Sequence, residues 1–79
     1  MARDVFVDTW GWYVLIDRGD PDHRRAVSLV RSLIQGGVRL VSSDYVLDES
    51  CTLAKARAGS AAAIRLLDLV EGTSALDLE

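Results

Sequence analysis

The strongest constraint on the fold is a short apolar run near the start of the chain that ends directly in an acid. The run is Val5-Phe6-Val7, and its lack of polar alternation predicts a strand covered on both faces, as in parallel sheets. Asp8 and Thr9 follow at once, and sites in open α/β sheets lie at the carboxyl ends of the strands. Asp8 is therefore a candidate site residue and, with equal weight, a candidate cap for the helix that follows.

The rest of the chain shows helical and strand patterns in alternation. Apolar periodicity predicts helices over residues 10–16, 21–35, 44–58 and 61–71, and strands over residues 39–43 and 76–79. The order strand, two helices, strand, two helices, strand favours right-handed crossovers and one parallel sheet. The carboxyl ends of the first two strands then face the same side, which brings Asp8 towards the start of the third helix.

Capping residues mark most of the helix boundaries. Asp20 is predicted to be the N-cap of the second helix, with Pro21 at its first position. Ser43 or Asp44 is expected to cap the third helix, and Ser60 the fourth. Glycines at positions 36–37, 59 and 72 end the second, third and fourth helices.

Helical periodicity also predicts which side chains are buried. The inward faces of the second and fourth helices are predicted to be Ala26, Val27, Val30, Leu33 and Ile34, and Ala63, Leu66, Leu67 and Val70. In the third helix the apolar face is predicted to carry Val46, Glu49, Leu53 and Ala56. The polar face carries Asp44, Asp48, Thr52 and Lys55. Glu49 is thus expected on the buried face. A buried carboxylate is costly unless a metal ion or a cation compensates it, so Glu49 is a candidate metal ligand.

Composition and charge set broad limits on function. Hydrophobic residues make up 49% of the 79 residues and charged residues 27%, which is typical of one small globular domain with a marginal core. The net charge of -3 gives no strong electrostatic case for nucleic acid, although a local basic stripe can coexist with it. Arg24 and Arg31 lie two turns apart on one helix face, where they can contact phosphates or simply be solvated.

Several chemically suggestive side chains have simpler structural explanations. Trp10, Trp12 and Tyr13 could form a base-stacking platform, but core packing is favoured because no basic residues interleave with them. His23 is expected to pack or cap, since no second histidine exists to share a metal. Cys51 is the only cysteine, and a packed helical thiol is favoured over a nucleophile.

The same single cysteine excludes a disulfide framework within the chain and favours a reducing, cytoplasmic setting. The N-terminus lacks the apolar segment of a signal peptide, and no apolar run approaches the ~18 residues needed to span a bilayer. We therefore expect a soluble, intracellular protein without a membrane segment.

Three stretches together resemble a known family. They are Val5-Phe6-Val7-Asp8-Thr9 followed by an apolar helix, Asp20-Pro21-Asp22-His23 opening the second helix, and residues 40–49, LVSSDYVLDE. The chain resembles the N-terminal half of a PIN domain, most closely the VapC-type toxin nucleases of prokaryotic toxin-antitoxin pairs. The resemblance implies a three-layer α/β/α fold with a parallel sheet, here truncated after the third strand, as a single partial domain over residues 1–79.

The resemblance also implies a chemistry. PIN domains of this type are Mg²⁺- or Mn²⁺-dependent endoribonucleases, and the acids that hold their metal match Asp8 and Glu49 here, as catalytic residues and metal ligands. Thr9 matches the small hydroxyl residue that often follows the first acid and supports the site. Arg24, Arg31 and Lys55 become candidate RNA contacts, and a cognate antitoxin becomes an expected partner.

The chain departs from the family pattern in its acids. The remaining acids of the family follow the third strand, and Asp68, Glu71, Asp77 and Glu79 do not match them. Two carboxylates alone hold Mg²⁺ weakly. Two hypotheses follow: a PIN-type ribonuclease that is weak alone or completed by another chain, and a catalytically inactive half-domain that acts only through self-association or partner binding.

The truncation also predicts assembly. If the sheet resembles that of the family, the first strand is central and the edge over residues 5–9 is left unpaired. Exposed apolar edges pair with other chains, and a small core gains from oligomerisation. We therefore expect a dimer or higher oligomer, or a complementing chain, that covers this edge.

Overall fold

The computed structural model describes residues 4–79, so the first three residues of the predicted domain lie outside the described part. The elements follow the predicted order: β1 (Asp4–Phe6), α1 (Thr9–Ile16), α2 (His23–Gln35), β2 (Arg39–Ser42), α3 (Asp44–Ala58), α4 (Ser60–Gly72) and β3 (Leu76–Leu78). The three strands form one parallel sheet, so the predicted α/β class is confirmed. None of the described helices has the length and apolarity to cross a membrane.

The sheet has the order β1-β2-β3, so β2 is the middle strand of the three within residues 4–79. A central first strand was expected only for the larger sheet that the family resemblance implies. Val5 pairs with Leu40, and Leu40 pairs with Leu76, both in parallel register. Because parallel strands point the same way, Asp8 after β1 and Ser43 after β2 lie at the same end of the sheet, where the strands terminate. The predicted convergence of these two chain segments is therefore confirmed.

A buried polar cluster, the Ser42 cluster, joins α1 to the first two strands. It consists of Val7, Trp12 and Ser42, of which Trp12 is 1% exposed and Ser42 0%. The Trp12 indole Nε1 donates to Ser42 Oγ at 3.1 Å, and Ser42 Oγ donates to the Val7 carbonyl at 3.0 Å. Burial of an indole and a hydroxyl is costly unless both are paired, so this relay allows the core to include them.

Small side chains bring α3 and α4 together. Ser50, Ala54 and Ala62 are almost fully buried, which allows the two helices to approach closely on either side of Gly59. Gly59 adopts a φ of +88°, a conformation that glycine takes without the steric cost of a Cβ, and it ends α3 where predicted. Ser60 is the first residue of α4 and makes no side-chain cap, so its predicted capping role is wrong.

The inward face of α4 is also partly different from the prediction. Leu66 is 0% exposed as expected, whereas Leu67 is 50% exposed. Ala62 and Leu66 lie one turn apart and form the buried row, and Leu67 is rotated about 100° away from it. Leu67 therefore lies outside the buried face of α4.

The start of α2 is two residues later than predicted. The helix begins at His23 after Asp22, and Asp20 forms a turn instead of an N-cap. Its carboxylate Oδ1 accepts a hydrogen bond from the Asp22 amide at 2.8 Å, as aspartate side chains commonly do in turns. Pro21 lies within this turn and not at the first helical position. The predicted end is correct, because Gly36 is the C-cap.

The apolar face of α2 is only partly covered. None of its residues is fully buried, and Ile34 of the predicted inward face is 38% exposed. A groove of about 490 Å³ lies along this face, lined mainly by apolar side chains of α1, α2 and α4. The predicted apolar face of α2 is therefore turned towards the protein, but it is only partly buried.

The first strand is less covered than expected. Val5 is half-buried and Phe6 is 55% exposed, so the prediction of a strand buried on both faces is wrong. Within residues 4–79, β1 pairs with β2 alone and forms an edge of the sheet, where an exposed edge was expected. The oligomer or complementing chain that would cover this edge stays a prediction.

Candidate active site

Asp8 occupies the junction between β1 and α1 and caps the helix. Its backbone is extended, with φ -88° and ψ -179°, and its Oδ1 accepts a hydrogen bond from the Gly11 amide at 2.8 Å. The capping role that the sequence allowed is thus confirmed. The cap engages one carboxylate oxygen, and the residue is exposed, so the carboxylate keeps acceptor sites for a further ligand.

Glu49 reaches the same junction from α3. The Thr9 hydroxyl donates to Glu49 Oε2 at 3.3 Å, and the Tyr45 hydroxyl makes a long contact with Glu49 Oε1 at 3.5 Å. Thr9 directly follows Asp8 in the chain, so its hydrogen bond connects Glu49 to the segment that carries Asp8. We call Asp8, Thr9 and Glu49 the acidic edge.

The reason given by helical phase for singling out Glu49 is wrong. Glu49 is exposed, and the fully buried residues of α3 are Ser50 and Ala54. The fully buried row of α3 consists of small side chains, and Val46, Leu47 and Leu53 pack against the core beside it while staying partly exposed. Glu49 consequently needs no cation to offset burial.

Asp48 and Glu49 were predicted to lie on different faces of α3, and the structure separates them less than that. Asp48 is exposed, as expected, but it lines the same shallow depression of about 410 Å³ as Glu49, together with Thr9, Tyr45 and Thr52. Asp8 lines a different depression, between β1 and α2. The acidic edge is thus an open surface with two faces and not a single enclosed pocket.

Other metal-ligating residue types are engaged elsewhere. His23 Nδ1 lies 2.8 Å from the Val14 carbonyl oxygen. Because a carbonyl oxygen can only accept, Nδ1 is the donor, and this hydrogen bond connects α2 to α1. Burial, with the Asp48 charge, raises the pKa of the Cys51 thiol, which favours the neutral form. Within residues 4–79 no three His, Cys, Asp or Glu side chains are grouped closely enough to hold a metal ion.

The three cationic candidates are all exposed but are not grouped. Arg24 lines a depression at the start of α2, whereas Arg31 lines the apolar groove farther along that helix. Lys55 lies in the last turn of α3, on the helix that carries Glu49. The structure therefore does not form one basic stripe from Arg24, Arg31 and Lys55.

Sequence reasoning missed two side chains near the acidic edge. Tyr45 precedes Glu49 by one helical turn, and this four-residue spacing was a usable signal. Arg57 lies over the Trp10 ring, with its Cζ 5.1 Å from the ring centroid. No local pattern indicated that contact, because it depends on how α1 packs against α3.

The parallel sheet with its four helices, and the acids at its carboxyl edge, define a PIN-like α/β domain. Among solved structures the chain is similar to Mycobacterium tuberculosis VapC20, a toxin that cleaves the sarcin-ricin loop, with 30% sequence identity and a TM-score of 0.78. The match covers 94% of this chain and 54% of that one, so the chain spans about half the length of VapC20. No protein-family model matches the chain, and no curated protein does. The resemblance to VapC-type PIN domains that the sequence predicted is confirmed.

Proposed function

We propose that this chain provides the RNA-cleaving edge of a VapC-type toxin, a PIN-type endoribonuclease that uses Mg²⁺ or Mn²⁺. The observation that carries the proposal is the contact between the Thr9 hydroxyl and Glu49, which links the segments bearing both acids at one edge of the sheet. The similarity to a VapC toxin of known RNA-cleaving activity supports the reaction class.

The donor atoms of the acidic edge fit a hard cation. Asp8 and Glu49 offer carboxylate oxygens, which Mg²⁺ and Mn²⁺ prefer, and both side chains are exposed. A bound cation would supply a water of lowered pKa for attack on a phosphodiester. The helix cap holds Asp8 in place, and Thr9 orients Glu49 by donating to it. Two carboxylates bind Mg²⁺ weakly, so we expect low affinity from these residues alone.

The remaining parts of the proposal concern partners. RNA phosphates would be contacted by Lys55, which shares α3 with Glu49, and by Arg24 and Arg31, which lie on α2. A cognate antitoxin, a homo-oligomer or a complementing chain would complete the assembly, in the cytoplasm. The exposed β1 edge supports an interaction of this kind, because unpaired strands recruit other chains.

The proposal is tested by replacing each candidate metal ligand, and one neighbouring acid, with its uncharged amide. We expect Asp8→Asn and Glu49→Gln to abolish Mn²⁺-dependent cleavage of RNA and to weaken Mn²⁺ binding measured by calorimetry. Asp48→Asn is the matched control, because Asp48 lines the same depression as Glu49 but is not the carboxylate that accepts from the Thr9 hydroxyl. Equal losses in Glu49→Gln and Asp48→Asn would contradict the assigned ligands, and metal-independent cleavage would contradict the proposed use of Mg²⁺ or Mn²⁺.

A second candidate function is a catalytically inactive PIN-like half-domain that acts through association. It is favoured by the absence, within residues 4–79, of a group of three metal-ligating side chains, and by the exposure of Phe6 on β1. Light scattering at micromolar concentration, with and without Mg²⁺, tests it. Oligomers without any metal-dependent cleavage support this candidate, and a well-folded monomer with an exposed β1 rules out its self-association.

A further inference from the structure

A cluster of two aromatic rings and an arginine lies where α1 packs against α3. Trp10 and Tyr13 are in edge-to-face contact, with ring centroids 6.1 Å apart and planes at 87°. Arg57 Cζ lies 5.1 Å from the Trp10 centroid and 5.7 Å from that of Tyr13. We call Trp10, Tyr13 and Arg57 the aromatic–arginine cluster.

The two tryptophans of α1 differ sharply in exposure. Trp12 is 1% exposed and belongs to the core, whereas Trp10 is 55% exposed, so the expected core packing is wrong for Trp10. Arg57 is exposed as well, and none of the ion pairs formed within residues 4–79 includes it. The surface thus presents a large ring and a permanent positive charge that the fold does not use in its core.

This cluster adjoins the acidic edge. Trp10 directly follows Thr9, whose hydroxyl contacts Glu49. On the other side of Glu49, one turn earlier in α3, Tyr45 is 71% exposed and its hydroxyl lies 3.5 Å from Glu49 Oε1. Along α3, Glu49 therefore lies between Tyr45, one turn earlier, and Arg57, about two turns later, whose guanidinium lies over the exposed Trp10 ring.

We propose that Trp10, with Arg57 beside it, stacks an unpaired nucleobase of an RNA strand, and that Tyr45 stacks a second base beyond Glu49. Every base has a π face, so stacking on exposed aromatic rings binds single strands, and arginine adds attraction to the phosphates. The base must be unpaired, because duplex bases stack on each other. This inference rests on the proposed RNA-cleaving function and names the residues that place the strand across the acidic edge.

Arg57 could instead serve only to fasten α3 to α1. A purely structural contact would change stability but would not distinguish RNA with bases from RNA without them. The decisive comparison is therefore between an unstructured eight-nucleotide oligouridine and the same oligomer with abasic sites. Its phosphate charge is unchanged, so only the stacking contribution is removed.

The experiment measures fluorescence anisotropy of these labelled oligomers with the 79-residue chain and no divalent cation. We expect Trp10→Ala to weaken binding of the oligouridine roughly 5- to 100-fold, the range of one stacked base, and to leave abasic binding unchanged. Trp10→Phe should restore most of the affinity. Arg57→Ala should weaken both oligomers, and Tyr45→Ala should resemble Trp10→Ala with a smaller loss. Arg25→Ala is the matched control, because its side chain is 87% exposed on α2, away from the cluster.

The outcomes separate this proposal from the one it rests on. A base-dependent loss in Trp10→Ala, with no cleavage by any variant, supports the stacking surface and overturns the nuclease. Wild-type affinity of Trp10→Ala, with cleavage that depends on Glu49, overturns the stacking surface and leaves the nuclease standing. Equal losses for the normal and abasic oligomers, or no RNA binding by the wild type, also overturn the stacking surface.

Discussion

Two polar clusters attach α1 to the rest of the molecule, and they differ in burial. In the Ser42 cluster the hydrogen bonds measure 3.0 and 3.1 Å and the participating side chains are almost fully buried. At the acidic edge the contact between Thr9 and Glu49 measures 3.3 Å and is exposed. A buried cluster must be fully paired, whereas an exposed carboxylate retains acceptor sites for a ligand. We therefore expect the Ser42 cluster to stabilise the fold and the acidic edge to be the part that can bind a ligand.

The largest expected effect tests whether stability depends on burial in this small core. Leu66→Ala should destabilise the fold by about 2–5 kcal/mol, because Leu66 is 0% exposed and its removal leaves a cavity. Domains commonly have only about 5–15 kcal/mol of stability, so this variant should be close to unfolding. Leu67→Ala, the same change one residue later at a side chain that is 50% exposed, should cost less than about 1 kcal/mol. Urea denaturation followed by circular dichroism measures both, and equal costs would contradict the assigned face of α4.

The next effect tests the Ser42 cluster itself. Ser42→Ala should cost about 1–3 kcal/mol, because it leaves the buried Trp12 indole N–H without an acceptor. Trp12→Phe removes the same donor, so a double-mutant cycle should show coupling of roughly 0.5–3 kcal/mol between the two positions. Additive losses in denaturant titrations would show that the hydrogen bond contributes no stability. RNA-binding assays on Ser42→Ala should be unchanged while the protein remains folded.

The order of the elements was predictable from the sequence, whereas the burial of individual helix faces was not. The element order, the parallel sheet and the convergence of Asp8 with the start of α3 follow from strand patterns and caps, and all were predicted correctly. The exposure of Glu49 and of Leu67 was not, because hydropathy alone does not indicate that α3 buries Ser50 and Ala54 and that α4 buries Ala62 with Leu66. Burial depends on which face meets a neighbour, and that is a tertiary property.

The residues of the candidate site were predictable from the sequence, but the contact between Arg57 and Trp10 was not. Asp8, Thr9 and Glu49 follow from the acid after β1 and from the family resemblance, and the structure places Thr9 against Glu49. The pairing of Arg57 with Trp10 joins residues on two different helices, and no spacing within either helix indicated it. The roles of these residues in metal binding remain predictions for the experiments above.

A smaller effect sharpens the comparison at the acidic edge. Thr9→Val keeps the shape of the side chain and removes the hydroxyl that orients Glu49. We expect Mn²⁺ affinity to fall about tenfold, as for other groups that orient metal ligands, and stability to change by less than about 0.5 kcal/mol. Thr52→Val is the matched control, since Thr52 lines the same depression but donates to the Asp48 carbonyl within α3. A large loss of stability in Thr9→Val would make the acidic edge a second structural cluster.

The smallest effect concerns Cys51, which lies on α3 between the buried and the exposed faces. Burial first, and then the Asp48 charge, raises the pKa of its thiol, so the folded protein should react slowly with a thiol reagent at neutral pH. A thiol with a raised pKa contributes stability that is fully present below the unfolded-state pKa and is lost as the pH rises through the folded-state pKa. Alkylation rates should therefore rise at a higher pH in the native protein than in the urea-unfolded chain. Asp48→Asn should move the native profile slightly towards lower pH, because it removes the second cause and leaves burial unchanged. Rapid alkylation of the native protein at neutral pH would show instead that Cys51 carries an accessible thiolate, and the contrast between a packed α3 face and an open acidic edge would then not hold at this position.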